Sequence, residues 1–336
     1  MEFLMQEWLG KPAWMWVAFL TVVTALMVFD LGVLERRRKA NDTAGAGMGV
    51  RQSLNLSAFY IAAALLYGGW VWWALGRESG MAFYTGFALE KALALDNVFV
   101  ISLIFSFFAI PVALQRRVLL WGIIGVIVLR GIMIGLGTVL VTQFDWILWV
   151  FGAFLIYTGI KMLRDGDDHD ISDNKLLGWL KRRLPITDTL HGEKFFVKQP
   201  VKQGAGERLK TFATPLFLAL LMVEAVDVIF AVDSIPAIFA ITQDPFIVYT
   251  SNIFAILGLR ALYFALAAMV HRFVYLQTAL SLVLVFIGLK IFYTQVWGKL
   301  DPAISLGVTL GLLAMGVILS LLKTRGEKGE EPPQAA

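Results

Sequence analysis

Long apolar runs separated by short polar segments extend along the whole chain. Several windows of about 20 residues carry few charges, which is the length that a helix needs to cross a hydrocarbon core of roughly 30 Å. The pattern predicts nine transmembrane helices, over residues 13–34, 54–75, 83–108, 117–140, 145–163, 212–242, 246–270, 275–295 and 302–322. The predicted fold class is an all-α polytopic membrane protein.

Basic residues cluster in every second segment between the predicted spans. Segment 35–53 begins with Glu35-Arg-Arg-Arg-Lys39, and segment 164–211 holds ten bases, whereas the alternate segments hold only Lys11, Arg77 and Lys299. Because Lys and Arg accumulate on the cytoplasmic side of membrane proteins, this asymmetry predicts an N-terminus outside and a C-terminus in the cytoplasm. The first apolar run is too long for a signal-peptide core, so we expect an uncleaved first span.

Composition narrows the classes of function. The mean hydropathy of +0.73, with 58% hydrophobic and 16% charged residues, leaves too little polar surface for a soluble protein. The net charge of +4 comes from the bases between spans, so it does not predict nucleic-acid binding. The absence of cysteine excludes disulfides, thiolate metal sites and thiol redox chemistry. No nucleotide-binding loop or catalytic triad is visible, so we expect neither an enzyme nor a bound cofactor.

The predicted sixth span contains three carboxylates, Glu224, Asp227 and Asp233. An acid at the middle of a membrane costs roughly 2.5–3.5 kcal/mol, and such residues mark partners or transport pathways. Part of this span has a pattern of residues that also occurs earlier in the chain. The pattern is an acid, five mostly apolar residues, an aspartate and a small polar residue. The two stretches are Glu90-x5-Asp96-Asn97 and Asp227-x5-Asp233-Ser234.

Two further motifs repeat after these acidic stretches. Leu129-Arg130-Gly131 and Gly159-Ile160-Lys161 in the first half correspond to Leu259-Arg260-Ala261 and Gly288-Leu289-Lys290 in the second. Each unit has three spans, so equivalent helices run in opposite directions. The pattern predicts two inverted three-helix repeats, an arrangement typical of secondary transporters with a site between the repeats.

The repeats predict a division of the chain into five parts. The predicted parts are 1–82 (two peripheral spans and a basic loop), 83–163 (first repeat), 164–211 (a cytoplasmic polar loop), 212–295 (second repeat) and 296–336 (a last span and a disordered tail).

The side chains of the two acidic stretches favour a hard divalent cation. Carboxylate and amide oxygens are the ligands that Mn²⁺, Mg²⁺ and Ca²⁺ prefer, and Asn252 adds one more amide nearby. No histidine lies inside a predicted span, which disfavours zinc and copper. Several neighbouring acids cannot all stay ionised without a cation, so binding of metal would release protons and permit metal–proton exchange.

Proline and arginine residues in the spans allow further interpretations. Pro236 removes a backbone donor beside Asp233, which predicts a kink or an unwound turn that exposes the Val232 carbonyl. The alternative to a cation site is internal ion pairing of the acids with Lys91, Arg130 and Arg260. A fixed cation inside a cation site is counterproductive, so we interpret Arg130 and Arg260 as structural or gating partners.

Longer motifs resemble a known family. Glu90-Lys-Ala-Leu-Ala-Leu-Asp-Asn-Val-Phe-Val100 and Val223-Glu-Ala-Val-Asp-Val-Ile-Phe-Ala-Val-Asp-Ser-Ile-Pro-Ala237 are similar to signature stretches of the TerC family, in particular its Alx-like bacterial branch. The resemblance extends through Phe144-Asp-Trp-Ile-Leu148 and Thr250-Ser-Asn-Ile-Phe-Ala-Ile-Leu-Gly-Leu-Arg260 over nearly the whole chain.

The resemblance implies a multi-pass protein of the bacterial inner membrane that exports manganese, with a link to tellurium resistance and to the lysine-exporter-like superfamily. It places the metal site on seven residues: Glu90, Asp96, Asn97, Glu224, Asp227, Asp233 and Ser234. The expected partners are the lipid bilayer and the transported cation. Two alternatives stay open, which are export of Ca²⁺ or another small solute, and a non-transporting scaffold of an envelope-stress or tellurium-resistance complex.

Overall fold

The computed structural model describes residues 5–40, 50–144, 146–165, 185–187, 189–203, 206–266, 275–298 and 300–327. These residues form ten helices: α1 Ala13–Ala40, α2 Val50–Leu75, α3 Arg77–Phe107, α4 Val112–Gln143, α5 Ile147–Asp165, α6 Pro215–Phe239, α7 Pro245–Leu257, α8 Leu259–Leu266, α9 Leu276–Trp297 and α10 Pro302–Glu327. Two antiparallel hairpins complete the described elements, β1 Glu7–Trp8 with β2 Lys11–Pro12, and β3 Phe196–Gln203 with β4 Gly206–Ala213.

Seven helical segments of the described chain are long and apolar enough to cross a membrane, namely α2, α4, α5, α6, α7 together with α8, α9 and α10. The other two predicted spans are also helical. The apolar part of α1 within the described side chains is the shorter helix Ala13–Phe29. Helix α3 has 31 residues, but it carries Glu90, Lys91 and Asp96 in its middle. The protein is therefore a membrane protein whose candidate spans are all helical, with seven of them among the described residues.

Helix α4 shows how the bundle separates lipid from interior. Large apolar side chains recur on one face at intervals of three or four residues and are exposed: Trp121, Ile124, Val128, Ile132, Leu136 and Val139. The opposite face is buried and is formed by Val118, Gly122, Val126, Arg130, Ile134, Gly137 and Val141. Because residues four apart share one face of a helix, this periodicity places Arg130 in the interior of the bundle.

The central helices pack in three pairs. Helix α3 packs on α7, α4 packs on α6, and α5 packs on α9. The last pair is in close contact through glycines, since a Cβ at Gly288 would lie 2.8 Å from the carbonyl oxygen of Gly152 and one at Gly159 would lie 2.7 Å from that of Ser281. Residues later along α5 face residues earlier along α9, so the two helices are antiparallel.

The unwound turn expected beside Asp233 is not present in the structure. Helix α6 continues through Pro236 to Phe239, so the backbone beside Asp233 is helical and not unwound. The interrupted helix is instead the seventh predicted span, which divides at Gly258 into α7 and α8. A glycine near the middle of an apolar run permits such a break because it lowers helix propensity.

The segment predicted as a polar loop, 164–211, contains regular structure. Strands β3 and β4 pair from Phe196↔Ala213 to Gln203↔Gly206. Phe212 therefore belongs to β4, and the sixth helix begins three residues later than predicted, at Pro215, which has no backbone N–H to donate and is well tolerated at a helix start. Residues 166–184 of this segment and residues 328–336 of the predicted tail lie outside the described residues.

Candidate functional site

Arg130 is the largest fully buried side chain among the described residues, with 0% of its surface exposed. It projects from the buried face of α4 toward α3, α6 and α7. A guanidinium presents donors in a planar fork and keeps its charge inside a protein, so burial requires several oxygen acceptors around it. The bundle supplies them from three helices.

Two carboxylates pair with this guanidinium. The Nε and Nη2 atoms of Arg130 donate to Asp227 Oδ2 and Oδ1 at 3.1 and 3.0 Å, which is a bidentate contact. The Nη1 atom donates to Glu90 Oε1. Glu90 is 1% exposed and Asp227 is 7% exposed, so both ion pairs are shielded from solvent within the protein. One cation facing two carboxylates leaves an excess of one acid in this group.

Two neutral side chains complete the group. Arg130 Nη1 also donates to Asn252 Oδ1 at 2.7 Å and to Ser234 Oγ at 3.2 Å. Asn252 in turn donates from Nδ2 to Glu90 Oε2 at 3.3 Å. We call this group, Glu90, Arg130, Asp227, Ser234 and Asn252, the Arg130 cluster. It joins α3, α4, α6 and α7 in one hydrogen-bonded network.

The seven predicted ligands divide into three sets. Glu90, Asp227 and Ser234 belong to the Arg130 cluster. Asn97 and Glu224 lie outside it, and each has a buried oxygen without a hydrogen-bond partner among the described residues, Asn97 Oδ1 and Glu224 Oε2. Asp96 and Asp233 lie on α3 and α6, but their side chains are outside the described ones.

A cavity of about 30 Å³ adjoins the cluster at Asp227. Asn97 is its other polar wall residue, and the remaining lining is mostly apolar: Ile101, Leu119, Gly122, Ile123, Val126, Val223, Val226, Ile256 and Leu259. A space of this size can hold a water molecule or a small ion. The cavity therefore brings two oxygen-bearing side chains to a space beside the buried arginine.

The cavity lies on one side of the cluster only. Along α3 it is reached after Glu90, and along α4 and α6 its residues come before Arg130 and Asp227. Because α3 ends at Phe107 while α4 and α6 begin at Val112 and Pro215, these positions all lie toward the same end of the bundle. That end carries the β3–β4 hairpin.

The opposite side of the cluster is closely packed. A Cβ at Gly137 would lie 2.6 Å from the ring of Phe239, and one at Gly86 would lie 2.9 Å from Ser251 Oγ. Phe239 is 2% exposed and belongs to an apolar core with Ile134 and Ile238. The cluster thus adjoins a cavity on the hairpin side and is closely packed on the other side.

Glu224 occupies a notch on α4. A Cβ at Gly125 would lie 2.1 Å from Glu224 Oε1, and Gly122 also borders this carboxyl group. The two glycines, three residues apart, make room on one helix face for an acid that α6 presents one turn before Asp227. Any larger residue at position 125 would displace the carboxyl group.

Within the described residues, no three acidic or histidine side chains come together closely enough to hold a metal ion. The cluster has the oxygen ligands that a hard cation prefers, but a guanidinium occupies them. The structure shows ion pairs from Arg130 to two of the acids, and its interpretation as a structural or gating partner stays a prediction. Its position at the centre of the predicted ligands was not expected, because spacing along the chain does not reveal which acids an arginine meets.

Comparison with known proteins agrees with this architecture. The TerC family, described as integral membrane proteins, matches residues 75–328. The "Putative membrane-bound redox modulator Alx" of Escherichia coli strain K12 is 47% identical over 320 residues, covering 93% of this chain and 95% of the relative. An uncharacterized membrane protein of Rickettsia bellii is 44% identical over 309 residues, covering 92% and 97%.

No solved structure matches the chain. A membrane protein of Myxococcus xanthus, also uncharacterized, is 43% identical over 317 residues, with 94% of each chain covered. The family match spans the helices that carry the Arg130 cluster and the adjoining cavity. The chain therefore belongs to the TerC family of integral membrane proteins.

Proposed function

We propose that this protein exports a divalent metal cation from the cytoplasm, with Mn²⁺ as the first candidate, in exchange for protons. The observation that carries the proposal is the convergence of Glu90, Asp227, Ser234 and Asn252 from three helices inside the bundle. Ionisable groups at this depth are expensive and mark pathways. Their oxygens match the ligand preference of Mn²⁺, Mg²⁺ and Ca²⁺.

The proposed architecture has nine spans, with the N-terminus outside and the C-terminus in the cytoplasm of the bacterial inner membrane. Two inverted repeats, 83–163 and 212–295, would enclose the site. The packing supports this, because the first helix of each repeat packs on the second helix of the other, in the pairs α3–α7 and α4–α6. The third helices, α5 and α9, are antiparallel and meet through glycines.

The position of the cavity supports export. In the proposed topology the hairpin end of the bundle faces the cytoplasm, so the cavity beside Asp227 lies on the side from which cargo would be collected. The closely packed side, at Gly137 and Phe239, would face outward. The described arrangement corresponds to a state before cargo loading, and outward opening would require α3, α4, α6 and α7 to change contacts around the site.

The chain has no cysteine, so it has no thiol with which to exchange electrons. If this chain has a redox effect like the one in the name of the Alx relatives, that effect would follow from a change in the metal content of the cell. It would not come from thiol chemistry of the protein itself. We assign it no enzymatic activity and no resident cofactor.

Reconstituted transport tests the proposal. Liposomes containing only this protein are loaded with a Mn²⁺-sensitive dye, and uptake is followed with and without an opposing proton gradient. We expect Mn²⁺ flux that Asp227→Asn, Asp96→Ala and Asp233→Ala abolish while the proteins still insert. Asp301→Asn, an exposed residue at the start of α10, is the matched control and should retain flux. Competition by Mg²⁺ and Ca²⁺ ranks the cations, and normal flux in all three acid variants would reject the site.

A second function is favoured by the completeness of the ion pairing in the Arg130 cluster. In this second function the guanidinium, which donates to acceptors on three helices, has a purely structural role and ties the bundle together. The protein would then be a membrane scaffold of an envelope-stress or tellurium-resistance complex. The same liposomes discriminate the two functions, because a scaffold gives no flux of any divalent cation under any gradient.

A further inference from the structure

We infer that Arg130 is a tethered occupant of the cargo site: it holds the oxygen ligands when cargo is absent, and it must release Glu90 and Asp227 before a divalent cation binds there. The inference rests on the proposed function and concerns how the same site is regulated. Its basis is the set of contacts in the Arg130 cluster, together with the cavity beside Asp227.

The guanidinium bonds to ligands from both proposed repeats. Glu90 comes from the first repeat, whereas Asp227, Ser234 and Asn252 come from the second. These are carboxylate, hydroxyl and amide oxygens, which are the atoms that would coordinate a hard cation. A lone pair directed at an Arg130 N–H is not available to a metal, so arginine and cargo compete for the same atoms.

Charge makes the two occupants mutually exclusive. Arg130 alone leaves the two carboxylates with one negative charge in excess, whereas a divalent cation alone would neutralise them. Both together would place three positive charges against two negative ones in a buried site, where low dielectric strengthens the repulsion. Binding of cargo therefore requires the guanidinium to move away.

The cavity provides the space in which this exchange begins. It borders Asp227 on the hairpin side and presents Asn97, whose Oδ1 has no partner among the described residues. Asn97 is 4% exposed, so this oxygen is already desolvated. A cation that reaches the cavity meets Asn97 and the outer side of Asp227 before it meets Glu90.

Release of Arg130 would also loosen the contact between the repeats. In the cargo-free state the hydrogen bonds from Arg130 to Asp227, Ser234 and Asn252 connect the repeats, and these bonds are lost when the cation takes the place of the guanidinium. The site thus rearranges only when a ligand of suitable charge replaces the arginine, which is the differential binding that a coupled conformational change requires.

Removal of the arginine should strengthen cation binding. A competing occupant lowers the apparent affinity for the cation to the fraction of molecules in which the site is free. If the wild-type site is free of Arg130 in about one molecule in 10 to one in 100, Arg130→Gln should bind the cation about 10- to 100-fold more tightly than the wild type. The variant should be unstable without cation and stabilised by Mn²⁺ far more than the wild type. Affinity is measured by titration of purified protein with MnCl₂, and stability by thermal unfolding with and without Mn²⁺.

Arg130→Lys keeps the charge but cannot make the bidentate contact, so it should give a smaller gain in Mn²⁺ affinity. It replaces Arg130→Gln in the titration if that variant is poorly produced. Arg117→Gln is the matched control, because Arg117 pairs with Glu193 at 3.0 Å outside the bundle core. Its affinity should equal that of the wild type.

Unchanged or weaker Mn²⁺ binding by folded Arg130→Gln would overturn the inference, as would failure of both Arg130 variants to fold in the presence of Mn²⁺. An equal gain in Arg117→Gln would overturn it too, because the effect would then be a general one of net charge. A wild type that neither binds nor transports divalent cations would instead reject the proposed function itself.

Discussion

Lys91 donates a hydrogen bond from Nζ to the carbonyl oxygen of Ala255 at 2.9 Å. This carbonyl belongs to the last turn of α7, where the break at Gly258 removes the backbone partners that a continuous helix would supply. Lys91 is the neighbour of Glu90 on α3. A single turn of α3 thus supports both the Arg130 cluster and the end of the interrupted helix.

We predict that Lys91→Met destabilises the protein by about 1 kcal/mol, because an unpaired buried carbonyl costs about 1–3 kcal/mol and the loss of a poorly solvated ammonium offsets part of that cost. Lys91→Arg, which retains a donor, is the control.

A Cβ at Gly258 would lie 2.9 Å from Lys91 Nζ and 3.1 Å from Tyr60 Cβ. Gly258→Ala should therefore displace the same ammonium, and thermal unfolding of the double variant should show a smaller loss than the sum of the single losses.

The contact between α5 and α9 gives a second prediction. Gly288→Ala places a methyl group 2.8 Å from the carbonyl oxygen of Gly152, a backbone atom that cannot rotate away. We expect a loss of about 1–3 kcal/mol, typical of overpacking. Gly135→Ala is the matched control, because nothing lies within 4 Å of its added Cβ. Thermal unfolding in detergent compares the two, and equal melting temperatures would contradict the close antiparallel packing.

Much of the helical architecture could be predicted from hydropathy alone. Predicted span 54–75 corresponds to α2 Val50–Leu75, and predicted span 117–140 corresponds to α4 Val112–Gln143. Apolar runs reveal the part of a helix inside the hydrocarbon, and the helices continue beyond it into polar residues such as Arg116 and Gln143. The TerC membership was likewise visible in the acidic motifs and is confirmed by the family match.

The β3–β4 hairpin was missed because the segment between the fifth and sixth spans was judged by its polarity. Its signal was present, since Gly204-Ala-Gly206 separates two runs that mix β-branched or aromatic residues with lysines. The break at Gly258 was hidden for the opposite reason, because the flanking residues are uniformly apolar and hydropathy cannot distinguish one helix from two.

The contents of the site could be predicted only in part. Glu90, Asp227 and Ser234 were identified by the repeated acidic pattern, and the structure brings them together. Arg130 belongs to another helix, and its partners depend on how α4 is oriented against α3 and α6. That orientation follows from the exposed apolar stripe of α4, and the structure was needed to show which positions of this mostly apolar helix are exposed.

The notch that holds Glu224 gives a third prediction. Gly125→Ala would place a Cβ 2.1 Å from Glu224 Oε1 and must displace this carboxyl group. Because the supports of a metal ligand typically affect affinity by 10- to 100-fold, we expect Mn²⁺ transport in liposomes to fall by about tenfold. Gly131→Ala on the same helix is the control, since its added Cβ would meet Tyr249 at an ordinary 3.5 Å. Equal transport by the two variants would remove Glu224 from the pathway.

Substitution of two acids one turn apart on α6, Asp227 and Glu224, should change the stability of the protein by different amounts. Asp227 accepts two hydrogen bonds from Arg130, so Asp227→Asn leaves a buried guanidinium with a single carboxylate partner. Breaking a buried ion pair from one side costs about 3–5 kcal/mol, and we expect a destabilisation of that order. Glu224 has no cation partner among the described residues and has a buried unpaired oxygen. Glu224→Gln replaces a carboxyl group that has no cation partner there, and it should leave the free energy of unfolding unchanged or slightly higher. Thermal or denaturant unfolding of the cation-free variants in the same detergent measures the difference. A large loss in Glu224→Gln, or none in Asp227→Asn, would mean that the guanidinium of Arg130 is held by acids other than Asp227.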